Sequence, residues 1–135
     1  MKLQSYQLEQ RQNFLLTKAA ACSVEKRCKV IRLLIDTGAN FTVLPPDILR
    51  EVGCDLEKPL RRIQIAAAGG LIQVPIVAVP WFNCLGQQIE EFPVAALKLP
   101  AAAAIDGLLG MDFLKMQGAV LDIRQSSILI ASHFA

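Results

Sequence analysis

Within the first third of the chain, the run Leu33-Leu34-Ile35-Asp36-Thr37-Gly38-Ala39-Asn40-Phe41-Thr42-Val43-Leu44 leaves little choice in how its surroundings fold. Bulky apolar residues lead into one carboxylate, a small hydroxyl residue and a glycine, and apolar residues then resume. This is the pattern of a strand that delivers an acid to a tight turn in a dry place. An ionised carboxylate loses hydration there, so Asp is seldom placed so without a chemical purpose. The apolar flanks separate this Asp-Thr-Gly from a chance occurrence. Asp36 is the candidate catalytic residue; the competing reading is an ordinary turn or capping Asp.

A second run, Ile105-Asp106-Gly107-Leu108-Leu109-Gly110-Met111-Asp112-Phe113-Leu114, lies about seventy residues downstream. In order and separation the two runs resemble the retropepsin-like aspartic proteases of retroviruses and retrotransposons. Asp36-Thr37-Gly38-Ala39 matches the catalytic loop. Leu108-Leu109-Gly110 matches the apolar-apolar-Gly element that precedes a short helix. The resemblance covers roughly residues 14 to 131. It implies an all-β, single-domain closed barrel with one or two short helices, acting as a homodimer. It also implies an aspartic endopeptidase that needs no cofactor and no metal. Pepsin-like enzymes carry two Asp-Thr-Gly loops in a longer chain. This chain of 135 residues carries one, so a pair of catalytic carboxylates requires two copies of it.

Peptide hydrolysis needs a water made nucleophilic and a leaving nitrogen that gains a proton. Two adjacent carboxylates sharing one proton supply both, one as base and the other as acid. In the homodimer these are Asp36 and its symmetry mate. The resemblance assigns the Thr37 hydroxyl to a hydrogen bond across the dimer axis, while Gly38 allows the backbone to approach the carboxylate. Ala39 offers that carboxylate no hydroxyl, where Ser would stabilise its ionised form; a less acidic optimum is expected. Ala39 and Asn40 are assigned to substrate binding. Ala68, Gly69, Gly70 and Leu71 join them, because Gly69-Gly70 resembles the tip of the family's flap, a hairpin that closes over the peptide. The alternative is a plain hairpin turn. Retroviral proteases place Arg after the apolar-apolar-Gly element, paired with an acid beyond the catalytic loop. Here those positions are Met111 and Asn40, so that ion pair is absent. Asp112 is expected to cap the short helix instead. An inactive module of the same fold, used for dimerisation or peptide binding, is the alternative function.

A hydrophobic content of 53% is high for a small domain, and an obligate dimer interface would bury part of it. A net charge of +2 gives no reason to expect nucleic acid. Lys26-Arg27-Cys28-Lys29 and Arg61-Arg62 read as solvated turns. Of the four cysteines, none forms a Cys-x-x-Cys pair, and the single histidine is His133, so a zinc site is disfavoured. Cys22 and Cys28 can face each other across a hairpin, which leaves a disulfide open. The polar N-terminus does not read as a secretory signal, which favours free buried thiols and a cytoplasmic location. Ile65 to Phe82 is nearly all apolar, but Gly69-Gly70, Pro75 and Pro80 argue for strands and turns over a membrane helix. Ser132-His133 lacks an oriented carboxylate for a hydrolase triad, Cys84 lacks a His partner, and Asp106 with Asp112 reads as turn and cap residues.

Residues 1–13 are polar and Gln-rich, and are expected to be a helical or disordered arm ahead of a domain over 14–135. Strands are predicted at Phe14–Cys22, Cys28–Ile35, Phe41–Leu44, Arg62–Ala66 and Leu71–Val79. A hairpin over Phe82–Val94 turns near Leu85-Gly86-Gln87, and a last hairpin joins Ala119–Ile123 to Ser127–Ala131. Short helices are predicted after Pro45-Pro46-Asp47 and over Asp112–Gln117. Ala101–Ala104 reads as a loop or one helical turn. Many short strands with frequent turns fit a barrel-like all-β fold.

Overall fold

The computed structural model describes residues 2–100 and 104–132. Strands β3 (Phe14–Cys22) and β4 (Cys28–Ile35) form the first long hairpin, in antiparallel register from Leu16↔Leu34 to Cys22↔Cys28. Both strands span the predicted residues. Ala19, Ala21, Ile31 and Leu33 point into the core, as the alternation of a half-buried sheet requires.

Four further strands complete a closed barrel: β5 (Val43–Leu44), β7 (Gly70–Cys84), β8 (Gln87–Ala96) and β9 (Gly107–Leu109). The order is β3-β4-β9-β5-β8-β7, and β7 returns to pair with β3 through Ala19↔Cys84 to Cys22↔Trp81. The fold class is therefore the all-β closed barrel expected, with two short helices, α1 (Pro46–Glu51) and α2 (Met111–Met116). Phe113 of α2 packs edge-on against Phe82 and Phe92, which stack at 4.8 Å between centroids. This aromatic trio anchors α2 in the core and fixes the chain just before it.

Strand β7 is longer than the sequence reading allowed. It runs through Pro80, where the expectation was a break. Pro80 is tolerated because ladder pairing skips from Val79↔Phe92 to Trp81↔Glu90, and Glu91 opposite it has φ 52°. A residue without an N–H removes no bond at such a step. The first residues of β7 pair with β6 (Arg61–Ala67) beyond the barrel wall, forming a projecting hairpin. The apolar stretch from Ile65 to Phe82 is thus strand and turn. Among the described residues, no helix is long and apolar enough to cross a membrane.

The N-terminal arm is neither helical nor disordered over its described residues. Strand β1 (Lys2–Gln7) pairs with β11 (Ser127–Ser132), and β11 pairs with β10 (Val120–Asp122), giving a second, three-stranded sheet. Strand β2 (Glu9–Arg11) continues onto β3, where Glu9 meets the Arg32 guanidinium at 3.3 Å. The polar look of these residues reflects edge strands whose side chains are almost all exposed. Of the segment predicted after Phe41, only Val43 and Leu44 are strand. Ala101–Ala103 and His133 lie outside the described residues.

The cysteine expectation needs correcting. Cys22 and Cys28 close the β3–β4 register and are disulfide-bonded. Such a bond persists in oxidising compartments, which weighs against the cytoplasmic expectation. Cys54 and Cys84 are free. Burial pushes the Cys84 thiol up to about 12. Burial, helped by the charge of Glu91, pushes Cys54 up to about 11. Both are neutral packing groups far from thiolate chemistry.

Candidate active site

The two runs singled out in the sequence meet at one end of the barrel. Strands β4 and β9 lie parallel, Leu33↔Gly107 to Ile35↔Leu109, and the Asp36 N–H donates to the Leu109 carbonyl at 3.0 Å. The chain then leaves β4 as a loop, arches over the end of β9, and re-enters the barrel at Val43, which pairs with Leu108. The Met111 N–H donates to the Ala39 carbonyl at 2.8 Å from below the arch. Gly110 lies where the two backbones cross. A Cβ there would stand 2.6 Å from the Phe41 carbonyl carbon and 2.9 Å from the Ala39 oxygen. Only glycine fits, which explains the last letter of the apolar-apolar-Gly element.

At the crest of the arch, the Gly38 N–H donates to Asp36 Oδ1 at 2.9 Å. The Ala39 N–H donates to the Asp36 carbonyl at 3.2 Å, closing the turn. The Asp36 carboxylate is half-buried, while Thr37 and Gly38 are exposed. A single chain therefore presents one oriented carboxylate at its surface.

The absent retroviral-type ion pair has a replacement that the sequence reading missed. Asp112 does not cap α2: the N-cap position is Gly110, without a side-chain cap bond. Its carboxylate instead accepts the Thr42 N–H and the Thr42 hydroxyl, both at 2.9 Å, and the Phe113 N–H at 2.8 Å. The Thr42 oxygen in turn accepts the Gly110 N–H at 3.2 Å. Thr42 is fully buried. This chain of bonds clamps the descending limb of the arch to the start of α2. Asp106 makes a comparable clamp on the other side. Its carboxylate accepts the Arg32 N–H, and its own N–H donates to the Arg32 carbonyl, both at 2.8 Å.

A groove of about 390 Å³ runs beside the arch. Gly38, Ala39, Asn40, Phe41 and Val43 form one wall, and Ile63, Gln64, Ile65 and Ala66 of β6 form the other. The floor is Leu97 and Leu108. Ala39 and Asn40 thus lie in the wall of this groove. Ala68, Gly69, Gly70 and Leu71 form the tip of the β6–β7 hairpin, with Ala67↔Gly70 the last pair. They lie outside the groove lining. Gly70 takes φ 120°, which other residues avoid, and Leu71 is 69% exposed. The wall residues of β6 escaped the sequence reading, although the alternation Ile63-Gln64-Ile65 was a usable signal. Val74 of β7 is buried in the core beneath.

Asp36 and Thr37 adjoin a second hollow of about 320 Å³, shared with Phe14, Leu15, Leu121 and Ile123. Thr37 also borders a hollow with Met111, Leu114, Ala119 and Leu121. The exposed threonine is therefore ringed by apolar side chains.

The sequence matches the model of the aspartyl protease family over residues 20–113, a stretch that contains both runs. No curated protein matches the chain. Among solved structures, a retropepsin-like aspartic protease from Rickettsia conorii has a similar fold, with a TM-score of 0.68 at 17% identity. The alignment covers 96% of this chain and 91% of that one.

Proposed function

Since the chain belongs to the aspartyl protease family, we propose that it is an aspartic endopeptidase that works as a homodimer, with Asp36 of each subunit supplying one of two catalytic carboxylates. The observation that carries this reading is the half-site itself. One oriented carboxylate stands at the crest of the arch beside an exposed Thr37, and apolar surface surrounds both. One carboxylate cannot be base and acid in the same step. A second copy related by a twofold axis near Thr37 would supply the other. It would also cover Phe14, Val120 and Ile123, which are 39%, 59% and 68% exposed.

Strand β10 supports the same arrangement. Among the described residues it pairs only with β11, which leaves its other edge without a partner strand there, and Leu121 on it touches the hollows around Thr37. Unpaired edges are surfaces on which strands from another chain add. Twofold pairing of β10 with its mate would join the two three-stranded sheets beneath the active site.

In the mechanism we propose, an extended peptide lies in the groove between the arch and β6. The ionised carboxylate of the pair takes a proton from water, which attacks the scissile carbonyl. The protonated carboxylate then gives its proton to the departing nitrogen. Thr37 holds the two loops together, Gly38 orients Asp36, and the β6–β7 hairpin closes on the peptide.

The test is a casein or peptide-library digest by the wild type, Asp36→Asn and Ile123→Asp, with sedimentation across protein concentration. Wild type is expected to cut and to dimerise. Asp36→Asn should dimerise without cutting, and Ile123→Asp should remain folded but monomeric and inactive. Cleavage by Asp36→Asn at the wild-type rate, or full activity from a monomer, would overturn the reading.

A further inference from the structure

We propose that Arg61 makes the groove selective for extended peptides carrying a carboxylate a few residues outside their apolar centre. This deepens the protease reading, on which it rests for the peptide nature of the ligand.

Side chains alternate along a strand, so Arg61, Ile63 and Ile65 share one face of β6. Ile63 and Ile65 line the groove. Gln64 and Ala66 of the other face line the groove as well, so it is the contact with Phe41 that places Arg61 at the end of this wall away from the hairpin tip. Its guanidinium carbon sits 5.5 Å from the centroid of Phe41, a residue of the opposite wall. The cation thus bridges the mouth of the groove. Arg61↔Ile76 pairing, with the Leu60 N–H donating to the Ile76 carbonyl at 2.9 Å, fixes the strand beneath it.

The groove lining contains no charged side chain, acidic or basic. None of the ion pairs formed among the described residues includes Arg61. A guanidinium that rests on an aromatic face is already ordered, and its planar fork remains available to take a carboxylate through two hydrogen bonds. From Ile65 to Arg61 the strand spans about 13 Å, so a parallel extended peptide meets Arg61 about four residues from the side chain seated against Ile65. Arg62 alternates to the other face and stands over no aromatic ring among the described residues, so it serves as the comparison.

The experiment uses Asp36→Asn, which should bind peptides without cutting them, and labelled extended peptides with an apolar centre. Glu or Gln is placed at each position outward from that centre, and affinity is read by fluorescence anisotropy at low and high salt. The same unlabelled peptides are offered to the otherwise wild-type enzyme for kcat/KM. At one position Glu should bind about ten-fold tighter than Gln at low salt, as charge-assisted bidentate pairing allows. The preference should vanish when Arg61→Gln is added, turn towards Lys with Arg61→Glu, and persist with Arg62→Gln. Equal affinity for Glu and Gln everywhere, or a preference untouched by Arg61→Gln, overturns the proposal even if every peptide is cut. A Glu preference that depends on Arg61 without any cleavage by the wild type would sustain it and overturn the catalytic reading instead.

Discussion

Replacing Asp112 by Ala removes the partner of two donors on a residue with no access to water. The Thr42 N–H and hydroxyl each give the carboxylate a 2.9 Å bond, and Thr42 is fully buried. A hydrogen bond to a charged group contributes about 1.5–3 kcal/mol, and an orphaned buried donor costs a similar amount. The third donor, the Phe113 N–H at the start of α2, belongs to a residue that is also fully buried, so its loss adds to the cost. Asp112→Ala should therefore cost about 3–5 kcal/mol, a large part of the 5–15 kcal/mol that holds a typical domain together. Asp112→Asn keeps one acceptor oxygen and should cost about half as much. Thr42→Val preserves shape but strands the Gly110 N–H, at about 2–4 kcal/mol, whereas Thr42→Ser keeps the bonds and should cost less than about 1.5 kcal/mol. Urea unfolding followed by the fluorescence of Trp81, the only tryptophan, reads each value. Because the two side chains share one bond, the double variant Thr42→Val/Asp112→Ala should fall short of additivity by about 0.5–3 kcal/mol. An additive cycle, or an Asp112→Ala penalty below about 1 kcal/mol, would refute the clamp. The same variants should lose peptidase activity, because the clamp fixes the descending limb of the catalytic arch.

Gly110→Ala should be among the most damaging single changes, since its Cβ would collide with the backbone of Phe41 and Ala39; a soluble protein with wild-type thermal unfolding would contradict the crossing described for Gly110. A thiol count should give two reactive groups in denaturant before reduction and four after, as the Cys22–Cys28 bond requires, and a count of four without reductant would exclude that bond. Cys84 ionises near 9.0 when exposed but only near 12 in the fold, so the unfolded chain releases its proton first. The stability it contributes is complete below about pH 9 and declines above it by about 1.4 kcal/mol per pH unit. Cys84→Ala should flatten that decline in urea titrations, and an unchanged slope would refute it. Ala39→Ser should shift the optimum for peptide cleavage to lower pH by giving Asp36 a hydroxyl donor; an unchanged or higher optimum would refute the role given to Ala39.

How much of this was legible in the sequence depended on how local the physics was. Strands β3 and β4 were readable because alternation and turn residues are written into neighbouring positions. The arch was readable because Asp-Thr-Gly and the apolar-apolar-Gly element are each short contiguous motifs, even though the constraint on Gly110 is tertiary, set by the backbone of Phe41 and Ala39. The Thr42–Asp112 clamp was not readable, since it joins residues seventy positions apart that are individually unremarkable polar groups. Asp112 at a helix start satisfies the pattern of a cap, and only the tertiary position of Thr42 draws its carboxylate away. Strand β1 was hidden for a related reason. Its partner β11 lies at the other end of the chain, and a strand whose side chains are almost all exposed shows little apolar signal. The Cys22–Cys28 pairing was visible as a register but was set aside on a compartment argument, which says nothing about geometry.

The distribution of exposed apolar residues ties the site to its proposed use. Phe14, Val120 and Ile123 belong to elements around Thr37, while Leu71 and Ile72 belong to the hairpin tip. Isolated apolar side chains on a surface mean little, but contiguous ones mark places where something binds. These two groups fall where the catalytic chemistry needs company. In the proposed dimer one lies where the second carboxylate would arrive, and the other where a bound peptide would be covered. Between them the groove wall is uncharged up to Arg61, where the first charge appears. The chain has thus left uncovered the surfaces that a twin subunit and a substrate would complete. Its charge stands at the rim, where water keeps the desolvation cost of a guanidinium small until a carboxylate replaces that water.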